Sequence, residues 1–184
     1  MDKLDAIDFK ILAHLQDNGR ATNLALAEVV GLTASPCLQR VKRLESIGLI
    51  RSYGARLELA MLGEHVVVFT EVTLTSHRRS SFEKFLARAR QIPEVMECHH
   101  VTGGHDYLLR ILARSIAHYS KVLERLSEGD VGVGRISSYV VLGSPINRDT
   151  LPLRELFDAA PEEDAGSEMP ERRHKYYPAA GATA

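Results

Sequence analysis

Only two cysteines, Cys37 and Cys98, occur in the chain, too few for a disulfide framework and consistent with a reducing compartment. No apolar run reaches membrane-spanning length, and the N-terminus lacks the pattern of a secretory signal. A cytoplasmic protein with no membrane partner is therefore expected. Basic excess is missing too: the formal net charge is −1, so any affinity for nucleic acid has to come from a local patch. No internal repeat is visible, and no second pair of spaced cysteines or histidines supports a tetrahedral metal site. What remains is 184 residues with 45% hydrophobic and 26% charged content. That is a soluble globular chain of one large or two small domains.

The most informative stretch is GLTASPCLQRVKRLESIG, residues 31–48. Gly31 permits a tight turn. Thr33 is a suitable N-cap, with a hydroxyl to accept an orphan N–H. Pro36 lies in the first helical turn, where a missing N–H costs little, and Gly48 is a natural stop. At about 100° per residue, Leu38, Val41 and Leu44 form the inward seam. Ser35, Pro36, Gln39 and Arg43 then point outward, flanked by Arg40 and Lys42. Glutamine pairs bidentately with adenine and arginine with guanine, while flanking cations meet phosphates. The plainer reading is an amphipathic surface helix with solvated charges.

The neighbouring residues complete a unit. Leu4, Ile7, Ile11, Leu12 and Leu15 predict a helix over 4–17, with Asp2 and Asp5 near its start and Asn18-Gly19 at its end. A second helix is expected over 22–30, capped by Thr22. Three helices with short turns are the smallest unit that buries the back of a recognition helix. After Gly48, Ile50, Tyr53, Leu57 and Leu59 suggest two short strands around Gly54. They form a wing that places Arg51 and Arg56 near a DNA backbone.

From residue 64 the pattern changes. Strands are predicted over 65–75, 95–102, 106–113 and 135–142, with helices over 80–91 and 116–126. The order β-α-β-β-α-β is the ferredoxin-like plan. Its helices cover one sheet face, yet VVVF and YVVL are apolar on both, so the other face is expected to pack on a second subunit. The domains expected are thus 1–63, 64–144, an arm over 145–157 that lies on a neighbour or packs back, and a disordered tail over 158–184, poor in large aliphatics.

Taken together, LDAIDFKIL, VGLTASPCLQRVKRLESIGLI, VTGGHDYLL and the closing SYVVL…LPL resemble the Lrp/AsnC family of prokaryotic transcription regulators. The resemblance spans about residues 2–154. It implies an α+β fold, a winged helix-turn-helix joined to a ferredoxin-like effector-binding module. It also implies homodimers, commonly assembled into octamers, with amino-acid effectors held between dimers. Double-stranded DNA is the implied partner, met by Ser35, Pro36, Gln39, Arg40, Lys42 and Arg43, with Thr33, Arg51 and Arg56 added from the residue reading. The implied effector site is the turn Gly103, Gly104, His105, Asp106 and Tyr107, with His100, Ile116, Val140 and Val141 beside it. Physically, the glycines expose N–H groups for a carboxylate and Asp106 accepts an ammonium. Against this stands a simple hairpin turn with an aspartate in it. The tail after Leu153 and the glycine-rich EGDVGVGRI depart from the family pattern.

The histidines and the cysteine around the 103–107 turn raise two other chemistries. Cys98, His99, His100, His105 and Asp106 are metal-ligating types, but adjacent strand residues face opposite sides. Siroheme decarboxylases resemble the same family, and His99, His100 and His105 are candidates for such chemistry. The intact basic recognition face favours a regulator that is not an enzyme and holds no cofactor or metal.

Overall fold

The structure is a computed structural model describing residues 4–157, so the expectation of a disordered tail over 158–184 lies outside the described residues. The chain divides into two compact units, one of residues 4–53 with 149–157, the other of residues 54–148.

In the first unit, helix α1 (Ala6–Asp17) starts at Asp5 in a capping box. The Asp8 N–H donates to Asp5 Oδ1 at 2.9 Å, and the Asp5 N–H donates to Asp8 Oδ2 at 3.2 Å. This reciprocal pair satisfies two orphan donors. Helix α2 (Asn23–Val30) is capped by the Thr22 hydroxyl. It ends at Gly31, whose φ of 71° lies in the left-handed region that favours glycine. Helix α3 (Ala34–Ser46) follows at once. Thr33 occupies its N-cap, but the hydroxyl makes no capping bond; only the backbone carbonyl engages, accepting from Cys37 N–H at 3.2 Å.

The core of this unit is Ile11, Leu26, Ala27, Val30, Cys37 and Leu44, with Val41, Leu15 and Ile50 among its partly buried members. Here the seam of α3 differs from expectation. Cys37 is wholly buried, whereas Leu38 is 41% exposed. Cysteine fits close to the crossing helices, and the seam turns by one residue around it. The expected wing strands do not form, because residues 51–58 carry no strand. The arm packs back: helix α6 (Leu153–Phe157) lies in this unit, and Gln16 Oε1 accepts from the Leu151 N–H at 2.8 Å.

The second unit begins at residue 54, earlier than the expected 64. After a 3₁₀ turn (Leu59–Met61) come β1 (Val66–Leu74), α4 (Arg79–Arg90), β2 (Val95–His100), β3 (Tyr107–Ala113), α5 (Ile116–Ser127) and β4 (Val133–Val140). The sheet order is β2-β3-β1-β4, with every neighbouring pair antiparallel. This is the ferredoxin-like arrangement. Alternation along β1 buries Val68, Val72 and Leu74 beneath α4 and α5, with Phe85, Leu109, Ile111, Val122 and Leu126. Thr70 is buried in the same row and satisfied by the Tyr119 hydroxyl at 2.9 Å. The opposite face carries Val67, Phe69, Glu71 and Thr73, with Leu108, Arg110 and Leu112 beside them on β3. Neither helix of the unit lies on it, which follows from all the buried residues sharing the other face.

Candidate nucleic-acid interface and small-molecule site

Thr33, Ser35, Pro36, Gln39 and Lys42 are exposed on or before α3. Arg51 and Arg56 are also exposed, but Arg51 belongs to the first unit and Arg56 to the second. Arg40 and Arg43 are only partly exposed, and both are bound. Arg40 Nη1 lies 2.7 Å from Asp5 Oδ2 and 2.9 Å from Asp8 Oδ1. Arg43 Nη2 donates to Asp8 Oδ2. Asp8 is fully buried, so its charge requires these partners. Burial would raise the Asp5 carboxyl, but the Asp8 N–H and Arg40 outweigh it and hold it below its ordinary range. The hydrogen bonds from Arg40 to Asp5 and Asp8 raise the guanidinium further still.

The expectation that Arg43 points freely outward is thereby corrected. A helical wheel gives the direction of a side chain from its own axis, but not the acidic pair waiting on α1. The signal was nonetheless in the sequence: acids at i and i+3 opening one helix, and arginines at i and i+3 in another. Beyond α3, the Tyr53 hydroxyl donates to Glu45 Oε1 at 2.9 Å. Burial, then Glu45, pushes this phenol up to about 12.

The 103–107 turn closes the β2–β3 hairpin. Gly103 has a φ of 121°, which only glycine adopts readily, and a side-chain carbon there would meet nothing within 4 Å. Asp106 is buried and engaged. Its Oδ2 accepts the Leu74 N–H at 2.7 Å, and its Oδ1 lies 3.0 Å from His77 Nε2. Its own N–H donates to the Val72 carbonyl at 3.0 Å. The residue expected to hold an ammonium therefore ties the turn to β1. His105 lies on the open face, with Nε2 2.7 Å from Glu71 Oε2 and Nδ1 3.4 Å from Thr73 Oγ1. The Tyr139 hydroxyl donates to the same Glu71 oxygen at 3.1 Å. On the helix-covered side Tyr107 is buried and stacks on Phe85 with ring centres 4.7 Å apart. The His100 ring lies 5.3 Å from both Phe82 and Tyr107.

The other expected lining residues stand elsewhere. Register pairs Val72 with Tyr107 at one end of the sheet and Val66 with Ala113 at the other. Ile116 follows Ala113, while Val140 pairs with Val68 and Val141 donates to the Val67 carbonyl. The length of β3, roughly 20 Å at 3.3 Å per residue, separates the two groups within one chain. Sequence reasoning missed Glu71 and Thr73, which reach the turn through strand register, and His77 and Phe82, which reach it from the loop after β1 and from α4. Cys98 is half-buried, and burial pushes its thiol up. His99 bonds Glu97 Oε2 at 3.2 Å on the open face, while His100 takes the opposite side. Among the described residues no group of three or more His, Cys, Asp and Glu side chains is placed to hold a metal ion.

Comparison with known proteins matches two family models. Residues 4–51 match a winged helix-turn-helix DNA-binding model, and residues 67–151 match the Lrp/AsnC ligand binding domain. The chain is 42% identical over 139 residues to the transcriptional regulatory protein DoeX of Halomonas elongata, covering 76% of this chain and 88% of that one. It is likewise 42% identical over 139 residues to the leucine-responsive regulatory protein of Haemophilus influenzae, covering 76% and 84%. A transcriptional regulator of Neisseria meningitidis, crystallised as its L-Met complex, superposes with a TM-score of 0.77 at 36% identity, covering 84% of this chain and 99% of that one.

Proposed function

The chain belongs to the Lrp/AsnC family of transcription regulators, and on that premise we propose that it binds duplex DNA through α3 and adjusts that binding to an amino acid held at the 103–107 turn. The observation that carries the reading is the presence of both modules in one chain, a helix-turn-helix with an exposed polar face on α3 and a sheet unit whose β2–β3 hairpin closes on a glycine turn. The L-Met complex of the Neisseria relative supports an amino acid as the class of effector.

Assembly belongs to the same reading. The 103–107 turn and the Ile116, Val140 and Val141 group lie at opposite ends of one sheet. Copies joined through the open face, and dimers joined further into an octamer, can bring one chain's turn beside another's far end. The exposed N–H groups of Gly103 and Gly104 then hold the effector carboxylate. The open His105–Glu71 pair and the engaged Asp106 leave the ammonium to a neighbouring copy. The site has no catalytic step, and the protein works in the cytoplasm without a membrane partner. The histidines suggested for tetrapyrrole chemistry do not converge, since His100 lies across the sheet from His99 and His105. The comparisons give that alternative no support.

The test has two stages. A thermal-shift screen of the twenty amino acids on the full chain should find one or a few that raise the melting temperature, because a ligand of the native state stabilises it. Duplex titrations by anisotropy, with and without that amino acid, should then show a changed affinity. An effector that raises the melting temperature and leaves DNA affinity unchanged would sink the coupling.

A further inference from the structure

Helix α3 presents two sectors that differ in what already holds them. Taking Cys37, Val41 and Leu44 as inward, Arg40 and Arg43 fall on one flank at about 100° per residue, Ser35, Gln39 and Lys42 fall outward, and Leu38 takes the other flank. The arginine flank is closed by chemistry, because Asp5 and Asp8 of α1 bind both guanidiniums. Drawing Arg43 away to a phosphate would strip a fully buried carboxylate of a charge partner. The outward sector is open. Ser35, Gln39 and Lys42 are exposed, and among the described residues none of their side chains has a hydrogen-bond or ion-pair partner. Leu38 is 41% exposed and lies outside the core cluster, an apolar side chain beside a polar stripe.

We propose that Arg40 and Arg43 are positioning residues that brace α3 against α1, and that DNA is read by Ser35 and Gln39, with Leu38 against a thymine methyl group and Lys42 on a phosphate. This rests on the reading of α3 as the DNA-binding helix. The chemistry is specific: Gln39 offers a donor and an acceptor matching adenine N7 and N6, and Leu38, its chain neighbour, supplies the apolar contact that a thymine C5-methyl needs. The pair selects A·T-containing steps in the major groove. Lys42 supplies a phosphate contact that is counted by salt dependence.

The experiment uses the full chain and a duplex site selected by it from a random-sequence pool. Affinity is measured over a range of salt. Lys42→Ala should reduce the slope of log affinity against log salt by about 0.9 for each half-site engaged, the share of one phosphate contact per copy. Arg40→Gln and Arg43→Gln should lower the melting temperature and leave that slope unchanged. Thymines of the site are then replaced singly by deoxyuridine, which lacks only the methyl. At one position per half-site the wild type should lose roughly fourfold, the worth of one buried methyl group. Leu38→Ala should bind both duplexes equally. That arm does not depend on the arginine variants folding, because Leu38 is not part of the core. A slope reduced as much by Arg43→Gln as by Lys42→Ala, or no thymine whose methyl matters through Leu38, would overturn the assignment while leaving DNA binding intact. A wild type that selects no duplex would overturn the DNA-binding reading, and this with it.

Discussion

Asp8 shows how one side chain serves two elements. Its amide and carboxylate complete the capping box of α1, and the same carboxylate fixes two arginines of α3. Asp5 shares the arrangement but stays half-exposed, so its charge can be tested separately. Its folded pKa lies below the ordinary 3.8, since the Asp8 N–H and Arg40 together outweigh burial. With the folded value depressed, the stabilisation is complete above about pH 4 and is lost as pH falls through the folded value. Asp5→Asn keeps an N-capping side chain and removes only the charge. Thermal melts between pH 3 and 5 should show the wild type losing stability more steeply than Asp5→Asn, and parallel curves would refute the assignment. Asp106 carries a different expectation. It is buried and accepts from Leu74 N–H, so Asp106→Ala should cost about 1–3 kcal/mol by leaving that amide unpaired. Denaturant unfolding measures this. A variant as stable as the wild type would return Asp106 to the role of an effector ligand. The sequence made Asp5 visible as an acid at a helix start and Asp106 as an acid beside glycines, while Asp8 went unnoticed. Their partners were not visible, because a carboxylate's role depends on what stands opposite across 32 or 35 residues of chain.

Elements were legible where one periodicity spans a whole segment. The stripe from Leu4 to Leu15 dictated both type and facing, while the β-branched run VVVF dictated a strand but, being apolar on both faces, not which face the helices cover. The order of strands and helices in the second unit was legible too. Residues 51–58 were misread for a physical reason. Ile50, Tyr53, Leu57 and Leu59 alternate loosely around Gly54, but a two-stranded ribbon is marginal unless a third strand or a helix supports it. Tyr53 instead donates its hydroxyl to Glu45 at the end of α3, which uses the aromatic to fasten the helix and not to pair strands. The arm after β4 was read as leaving the sheet, which it does. Its destination was undetermined in sequence because LPL offers only apolar side chains. The polar contact that fixes it comes from Gln16, whose amide both accepts from and donates to the backbone of Leu151.

At the scale of the whole molecule, the 103–107 turn and the open sheet face pose one question of assembly. On the open face the central strands carry Val67, Phe69, Leu108 and Leu112, while the edge strands carry Glu97 and His99 on β2 and Arg135, Ser137 and Tyr139 on β4, with Glu71 holding both His105 and Tyr139. An apolar strip on the central strands flanked by paired polar groups suits a self-complementary contact, in which the same patch of a second copy covers it. The buried pairs then fix register, and the apolar side chains supply most of the favourable burial. Phe69 is the residue to challenge. It is partly exposed in the single chain, outside the core, and flanked by strands on both sides. Phe69→Glu should therefore leave each unit folded while placing a charge beside Glu71, where two copies would each carry it into the contact. Sedimentation velocity at micromolar concentration should show the wild type as a dimer or an even multiple. The variant should sediment as a monomer, with unchanged far-ultraviolet circular dichroism. Its DNA affinity should fall, because a lone helix-turn-helix loses the second half-site that a dimer engages. Unchanged sedimentation would place the assembly contact elsewhere, and the pairing of the 103–107 turn with another copy's Ile116 end would fall with it.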